Sequence, residues 1–167
     1  MLMPLAVRTS EPEDVTRVAA DMRRADAKEL LCGLTPASAG QDALQMRIGA
    51  LQRQVDISVY VRTIQDTSTG TAVALFGLVP THLSFVGGVW LLGTPTLNRH
   101  PHTFLKHSRA WIRDMHHLYP VLYNYVSLDN ADHVRWIGWC GFRYLRLLPH
   151  YGGRGVPYLE FVRFEHV

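Results

Sequence analysis

The chain has 167 residues, 47% hydrophobic and 19% charged, a balance that excludes disorder and suits one domain, residues 1–167, with a real core. Its 17 Lys and Arg against 14 Asp and Glu give a net charge of +3 with no basic run, which excludes a dedicated nucleic-acid surface. No apolar stretch reaches the ~18 residues of a membrane span. The opening Met-Leu-Met-Pro-Leu-Ala-Val, ended by Arg8, is too short for a secretion signal, so a soluble protein of the reducing cytoplasm is expected. Cys32 and Cys140 then read as isolated thiols.

In chain order, Leu5 and Val7 mark a first strand. Ser10-Glu-Pro-Glu13 reads as a capping box with Pro12 in the first turn. Val15, Val18, Ala19 and Met22 follow at helical spacing, which predicts an amphipathic helix to about Arg24. Gly33 to Gly40, with Pro36, reads as a loop, and Asp42 to Gln54 as a second helix with Leu44, Ile48 and Leu51 on one face. Ser58–Ile64 and Thr71–Val79 form a predicted hairpin around Asp66-Thr-Ser-Thr-Gly70. Pro80–Gly88 reads as a connection and Val89–Leu92 as a buried strand. Pro101 opens a helix of about sixteen residues, with Phe104, Trp111 and Met115 on its apolar side.

The segment Tyr123–Phe142 is the most informative. Leu122, Tyr123, Tyr125 and Val126 favour a strand. Asn130 is a good N-cap, Val134 and Ile137 fall one turn apart, and Gly141 can adopt the left-handed conformation that stops a helix. Phe142–Leu148 and Tyr158–Phe164 then pair around Pro149–Pro157. A strand that runs straight into a helix N-terminus leaves a pocket of free N–H groups.

This strand, Asn130, helix and Gly141-Phe142 pattern resembles the GNAT superfamily of acetyl-CoA-dependent N-acetyltransferases. The resemblance implies an α/β fold with a central mixed, mostly antiparallel sheet and helices on both faces. It also implies acetyl-CoA between Val89–Leu92 and Leu122–Leu128, with Leu91, Leu92, Asn98, Arg99 and Asn130 as candidate cofactor contacts. Where the family carries a glycine-rich phosphate loop, this chain reads Gly93-Thr-Pro-Thr-Leu-Asn-Arg-His-Pro-His102. His100, Pro101 and His102 stand at the expected glycines, and Pro101 lacks an N–H. The position of the family's acid tyrosine is Ile137. Candidate acid–base residues are Asp129, after the strand, and His133, which reads either as a proton shuttle or as an ordinary helical histidine. The remaining histidines lack the spacing of a metal site, so no metal is expected.

Asn124-Tyr-Val126, Asn130, His133, Arg135 and Gly141 are further similar to GNAT-like internal virion proteins of short-tailed DNA phages. That resemblance implies a phage virion or assembly protein that has lost acetyltransferase chemistry and needs no cofactor. Its partners would be other virion components, internal, portal or tail, and it would move from the host cytoplasm into the particle. Contacts would fall on an interaction loop of Tyr151, Gly152, Gly153 and Arg154. The alternative is an acetyl-CoA-dependent N-acetyltransferase of phage origin.

Overall fold

The computed structural model describes residues 4–32, 42–151 and 155–165. The loop expected over Gly33–Gly40 lies outside the described residues, as do Gly152, Gly153 and Arg154 of the expected interaction loop. In chain order the elements are β1 (Leu5–Thr9), α1 (Pro12–Ala20), α2 (Arg24–Leu30), α3 (Ala43–Asp56), β2 (Tyr60–Asp66), β3 (Thr71–Pro80) and β4 (Val86–Gly93). A 3-10 turn (Pro95–Arg99) precedes α4 (Pro101–His116), β5 (Val121–Ser127), α5 (Ala131–Trp139), β6 (Arg143–Leu148) and β7 (Tyr158–Phe164).

The strands form one seven-stranded sheet in the order β1-β2-β3-β4-β5-β7-β6. Among the described residues only β4 and β5 run parallel; the other pairings are antiparallel, as expected. On one face, Val15, Val18 and Leu51 of α1 and α3 bury against Leu75, Trp90 and Leu92. On the other, Phe104, Ile112 and Met115 of α4 and Ile137 of α5 bury against Phe76, Leu91, Leu122 and Val126. The sheet is thus covered from both sides by the apolar stripes that the helical spacing predicted.

Three local expectations are corrected. Helix α1 starts from Glu11, not Ser10: Glu11 N–H donates to Asp14 at 2.9 Å, while Arg8 and Thr63 also bind that carboxylate. The expected helix to Arg24 is broken, ending at Ala20 and restarting as α2. The break is fixed by Arg23, whose N–H donates to the Gly93 carbonyl at 2.8 Å and ties the chain to the end of β4. Strand β4 starts at Val86, so Gly87 and Gly88, read as connection, are central strand residues. A side chain is barred at Gly87, where a Cβ would lie 2.7 Å from the Tyr119 ring; tertiary packing overrides glycine's poor strand propensity.

Gly141 behaves as expected. It has φ +84°, and Phe142 N–H donates back to the Ile137 carbonyl at 3.2 Å, closing α5 and turning the chain into β6. Gly141→Ala is therefore expected to lower stability by about 1 kcal/mol, read as a melting temperature about 2–4 °C lower. An unchanged melting temperature would show that the left-handed turn is not needed.

Candidate active site

β4 and β5 pair only from Val86 to Gly88 against Val121 to Tyr123. Beyond that point they separate. Asn124 sits at the fork. Its Nδ2 donates to the Val89 carbonyl at 2.6 Å, and its Oδ1 accepts from the Tyr125 N–H at 2.8 Å. A side chain thus replaces the next backbone rung and props the strands apart. Further along, the Gly93 N–H donates to Asp26 at 2.8 Å and the Gly93 carbonyl accepts from Arg23. Backbone groups alternate along a strand, so Leu91, midway between Val89 and Gly93, presents its N–H and C=O to the opening. The same alternation turns the Leu92 backbone towards Leu75 of β3. Of the two leucines expected to meet a cofactor arm through their backbone, the geometry offers Leu91.

The opening is a cavity of about 420 Å³. It passes through the sheet, because its walls come from both sides. Trp111, Met115, Trp136 and Ile137 line it on the α4/α5 side, and Leu30, Gln54 and Trp90 on the other. Glu29, Tyr125, His133, Tyr151 and Tyr158 are among its polar lining residues.

Under the cavity lies a buried polar hub. Asp26, with no exposed surface, accepts from Arg23 Nη2 at 2.8 Å, from Gly93 N–H at 2.8 Å and from Asn130 Nδ2 at 3.1 Å. Arg23 Nη2 also lies 2.5 Å from His133 Nε2. A guanidinium only donates, so that nitrogen accepts and the ring proton is on Nδ1. His133 is buried and its pKa is lowered to about 4, chiefly by desolvation, with the Asp26 carboxylate opposing and the Arg23 charge adding to the shift. It is a neutral acceptor at physiological pH, neither the exposed helical histidine nor a proton shuttle already charged.

Glu29 stands one turn along α2 from Asp26. Its Oε1 accepts from Ser127 N–H and from Asn130 Nδ2, both at 3.1 Å. Burial pushes its carboxyl up to about 7; the hydrogen bonds from Asn130 and Ser127 oppose that rise, and the nearby Asp26 charge adds to it. Both bonds fall on Oε1, so Oε2 is the oxygen offered to a ligand.

The sequence candidates are placed as follows. Asn130 occupies the N-cap position of α5 but makes no cap bond; its amide instead holds Asp26 and Glu29. Asn98 bridges Arg23 and Asp132, so it fastens the 3-10 turn to α2 and α5. Arg99 is exposed just before α4, and His100 is the N-cap with Pro101 opening the helix. Asp129 is half exposed, 3.8 Å from Lys28, in a second pocket with Arg24 and Ser127 rather than in the cavity between β4 and β5. Tyr151 lines the cavity mouth. Arg23, Asp26 and Glu29 were not singled out from sequence. The signal was present as three charged residues at a spacing of three, Arg23-x-x-Asp26-x-x-Glu29, in a stretch with no apolar repeat.

No family model matches the sequence, and no curated protein does. Solved structures match it end to end. A GNAT-family acetyltransferase from Bacillus anthracis superposes with a TM-score of 0.70 over 98% of this chain and 96% of its own, at 9% identity. The ribosomal-protein-S5-alanine acetyltransferase from Vibrio fischeri gives 0.66 over 99% and 96%, at 10% identity. The spermidine N-acetyltransferase from Vibrio cholerae, solved in complex with CoA and spermine, gives 0.63 over 97% and 96%, at 13% identity. The chain has the fold of the GNAT acetyltransferases. The expected virion component with lost chemistry is overturned: the structures matched over their whole length are acetyltransferases, and none is a particle protein among those just named. Among the described residues no helix is long and apolar enough to cross a membrane.

Two predictions follow from the polar residues. Asp26→Ala takes from the Arg23 guanidinium its carboxylate partner and leaves the Gly93 N–H unpaired, so stability is expected to fall by about 3–5 kcal/mol in chemical denaturation; a loss under 1 kcal/mol would remove the hub from its structural role. Glu29 and His133 act in opposite senses with pH. The raised Glu29 pKa stabilises the fold below pH 4.5, and that contribution is lost as pH rises through about 7. The lowered His133 pKa stabilises the fold above pH 6.5, and that contribution is lost as pH falls towards about 4. Glu29→Gln is expected to stabilise the protein at alkaline pH, by on the order of 2 kcal/mol, and to be near neutral in acid. Equal effects at both ends would place the Glu29 carboxyl in ordinary solvent.

Proposed function

We propose that the chain is an acetyl-CoA-dependent N-acetyltransferase whose active site is the cavity between β4 and β5. The observation that carries this reading is the forked strand pair itself, which leaves Leu91 backbone groups facing a cavity with Glu29 in its wall. An unpaired strand edge inside a protein demands a hydrogen-bonding partner, and the amide-bearing arm of acetyl-CoA fits that demand. The buried Thr94 hydroxyl, one residue past β4, also lacks a protein partner. Leu91 would hold the arm, and Arg99 at the start of α4 would face the phosphates in place of the glycine-rich loop. The substituted loop argues for fewer backbone donors there, not for a closed site, since His102 and Thr103 N–H groups still open the helix.

Acetyl-CoA would supply the thioester, whose C–S bond breaks as the amide C–N bond forms, the leaving thiolate taking up the remaining proton that the amine nitrogen sheds. Glu29 is the general base: its Oε2 takes the proton that an incoming ammonium must lose before its nitrogen can attack. A carboxylate poised near neutrality is suited to that exchange. The ionised form must be present for it to act, so the rate is expected to rise with pH through about 7. Asn130 and Ser127 orient the carboxylate through Oε1, and the Asp26 hub fixes the helix that carries it. Two of the named structural matches are a spermidine N-acetyltransferase and a ribosomal-protein-S5-alanine acetyltransferase, and an amine acceptor is common to both.

The test is release of free thiol from acetyl-CoA in the presence of amines, with product mass as confirmation. Glu29→Gln is expected to slow transfer by about 10²–10⁴-fold while leaving acetyl-CoA affinity unchanged. Transfer by the variant at the parental rate would sink Glu29 as the base.

A further inference from the structure

Among the described residues, α1, α3, α4 and α5 do not pack on one part of the sheet. α1 and α3 bury against β3 and β4, while α4 and α5 cover the opposite face through Val126 and Phe161. Ser127 pairs with Tyr158, and Tyr125 with Glu160. Directly opposed residues share a face, so Tyr123, Tyr125, Tyr158 and Glu160 lie together on the side without α4 and α5. Tyr151 joins them from beyond β6. Its ring centroid is 4.4 Å from Tyr125 and 5.0 Å from Tyr158, and Tyr123 lies 5.2 Å from Tyr125. The Tyr123 hydroxyl donates to the Tyr125 hydroxyl at 2.5 Å.

These rings run from solvent to the proposed base. Tyr151 is 41% exposed and Tyr158 only 5%, and Tyr125, Tyr151 and Tyr158 line the same cavity as Glu29. The charges facing the wall favour one sign. Glu160 is paired with Arg146 at 2.5 Å, and Arg23 is held by Asp26. Burial raises the pKa of Tyr123, Tyr151 and Tyr158, so their hydroxyls stay neutral. Among the described residues, the negative face of each ring and the Glu29 carboxylate are then what the wall presents.

We propose that this tyrosine wall is the acceptor site and that it takes an aliphatic amine in its protonated form, drawn across Tyr151 and past Tyr125 and Tyr158 to Glu29. A ring face attracts a cation and has nothing for a carboxylate, whereas an alkyl chain packs on the same surface. The wall therefore selects alkylammonium acceptors over acidic or neutral ones. This rests on the transferase reading for its chemistry, but its binding consequence stands apart from it.

The experiment is calorimetric titration, without acetyl-CoA, of n-butylammonium chloride, 1-butanol and sodium butyrate into the full chain. Butylammonium is expected to bind at least about tenfold more tightly than the other two, with Tyr151→Leu weakening it about three- to thirty-fold and Tyr151→Phe nearly without effect. Tyr125→Leu is expected to act in the same direction, and a melting curve for each variant confirms folding. Equal affinity for butylammonium and 1-butanol, or folded leucine variants that bind butylammonium unchanged, would overturn the proposal. Such a failure with acetyl-CoA binding intact removes the tyrosine wall alone; loss of acetyl-CoA binding removes the transferase itself.

Discussion

The arrangement depends on the burial of one carboxylate. Asp26 has no contact with solvent, and an isolated ionised group in such a place is prohibitively costly. It is tolerated because Arg23, the Gly93 N–H and the Asn130 amide all donate to it. Those donors belong to the start of α2, the end of β4 and the start of α5, so one residue fixes three elements at the wide end of the fork. The same contacts take the Gly93 rung out of use and leave Leu91 as the backbone group facing the cavity.

The narrow end is held differently. Asn124 stands where a further backbone rung would have closed β4 onto β5, and its amide bonds to the Val89 carbonyl instead. Between Asn124 and the hub, a sheet that would otherwise be continuous is open through its full thickness. Such a passage would let a donor and an acceptor approach the same point from opposite faces, as the proposed transfer requires of its two substrates. Glu29 and His133 border it with opposite electrostatic fates. Burial keeps the histidine uncharged and able only to accept from Arg23, and it lifts the carboxylic acid towards neutrality, where it can exchange a proton with an amine.

Much of this was legible in the sequence because it is written in periodicity and turn chemistry. The hairpin around Asp66–Gly70, the apolar stripe of α4 and the Gly141 stop are local signals, and the Tyr123–Phe142 pattern led to the GNAT fold. The site was less legible. Asn130 was expected to cap α5, but its Nδ2 is turned to the buried Asp26 and Glu29 carboxylates, and its Oδ1 makes no cap bond to the helix N–H groups. Asp129 and His133 stood out as polar residues near the right strand end, whereas the polar groups in the cavity wall come also from α2, about a hundred residues earlier in the chain. Charges at a spacing of three read as a solvated helix face until the fold turns them inward. The phosphate-loop substitutions at His100, Pro101 and His102 weighed towards lost chemistry because a motif records only one way of binding an anion, and the strand fork leaves no sequence motif at all.

The most direct measurement is thermal and calorimetric titration of the full chain with acetyl-CoA. If the forked strands form a cofactor site, binding saturates at one ligand per chain. At ligand near 100 times the dissociation constant the fold gains about 2.7 kcal/mol, a rise in melting temperature of about 5–10 °C for a chain of this size. Neither heat nor a melting shift at millimolar acetyl-CoA would contradict the reading of the β4/β5 cavity as a transferase active site.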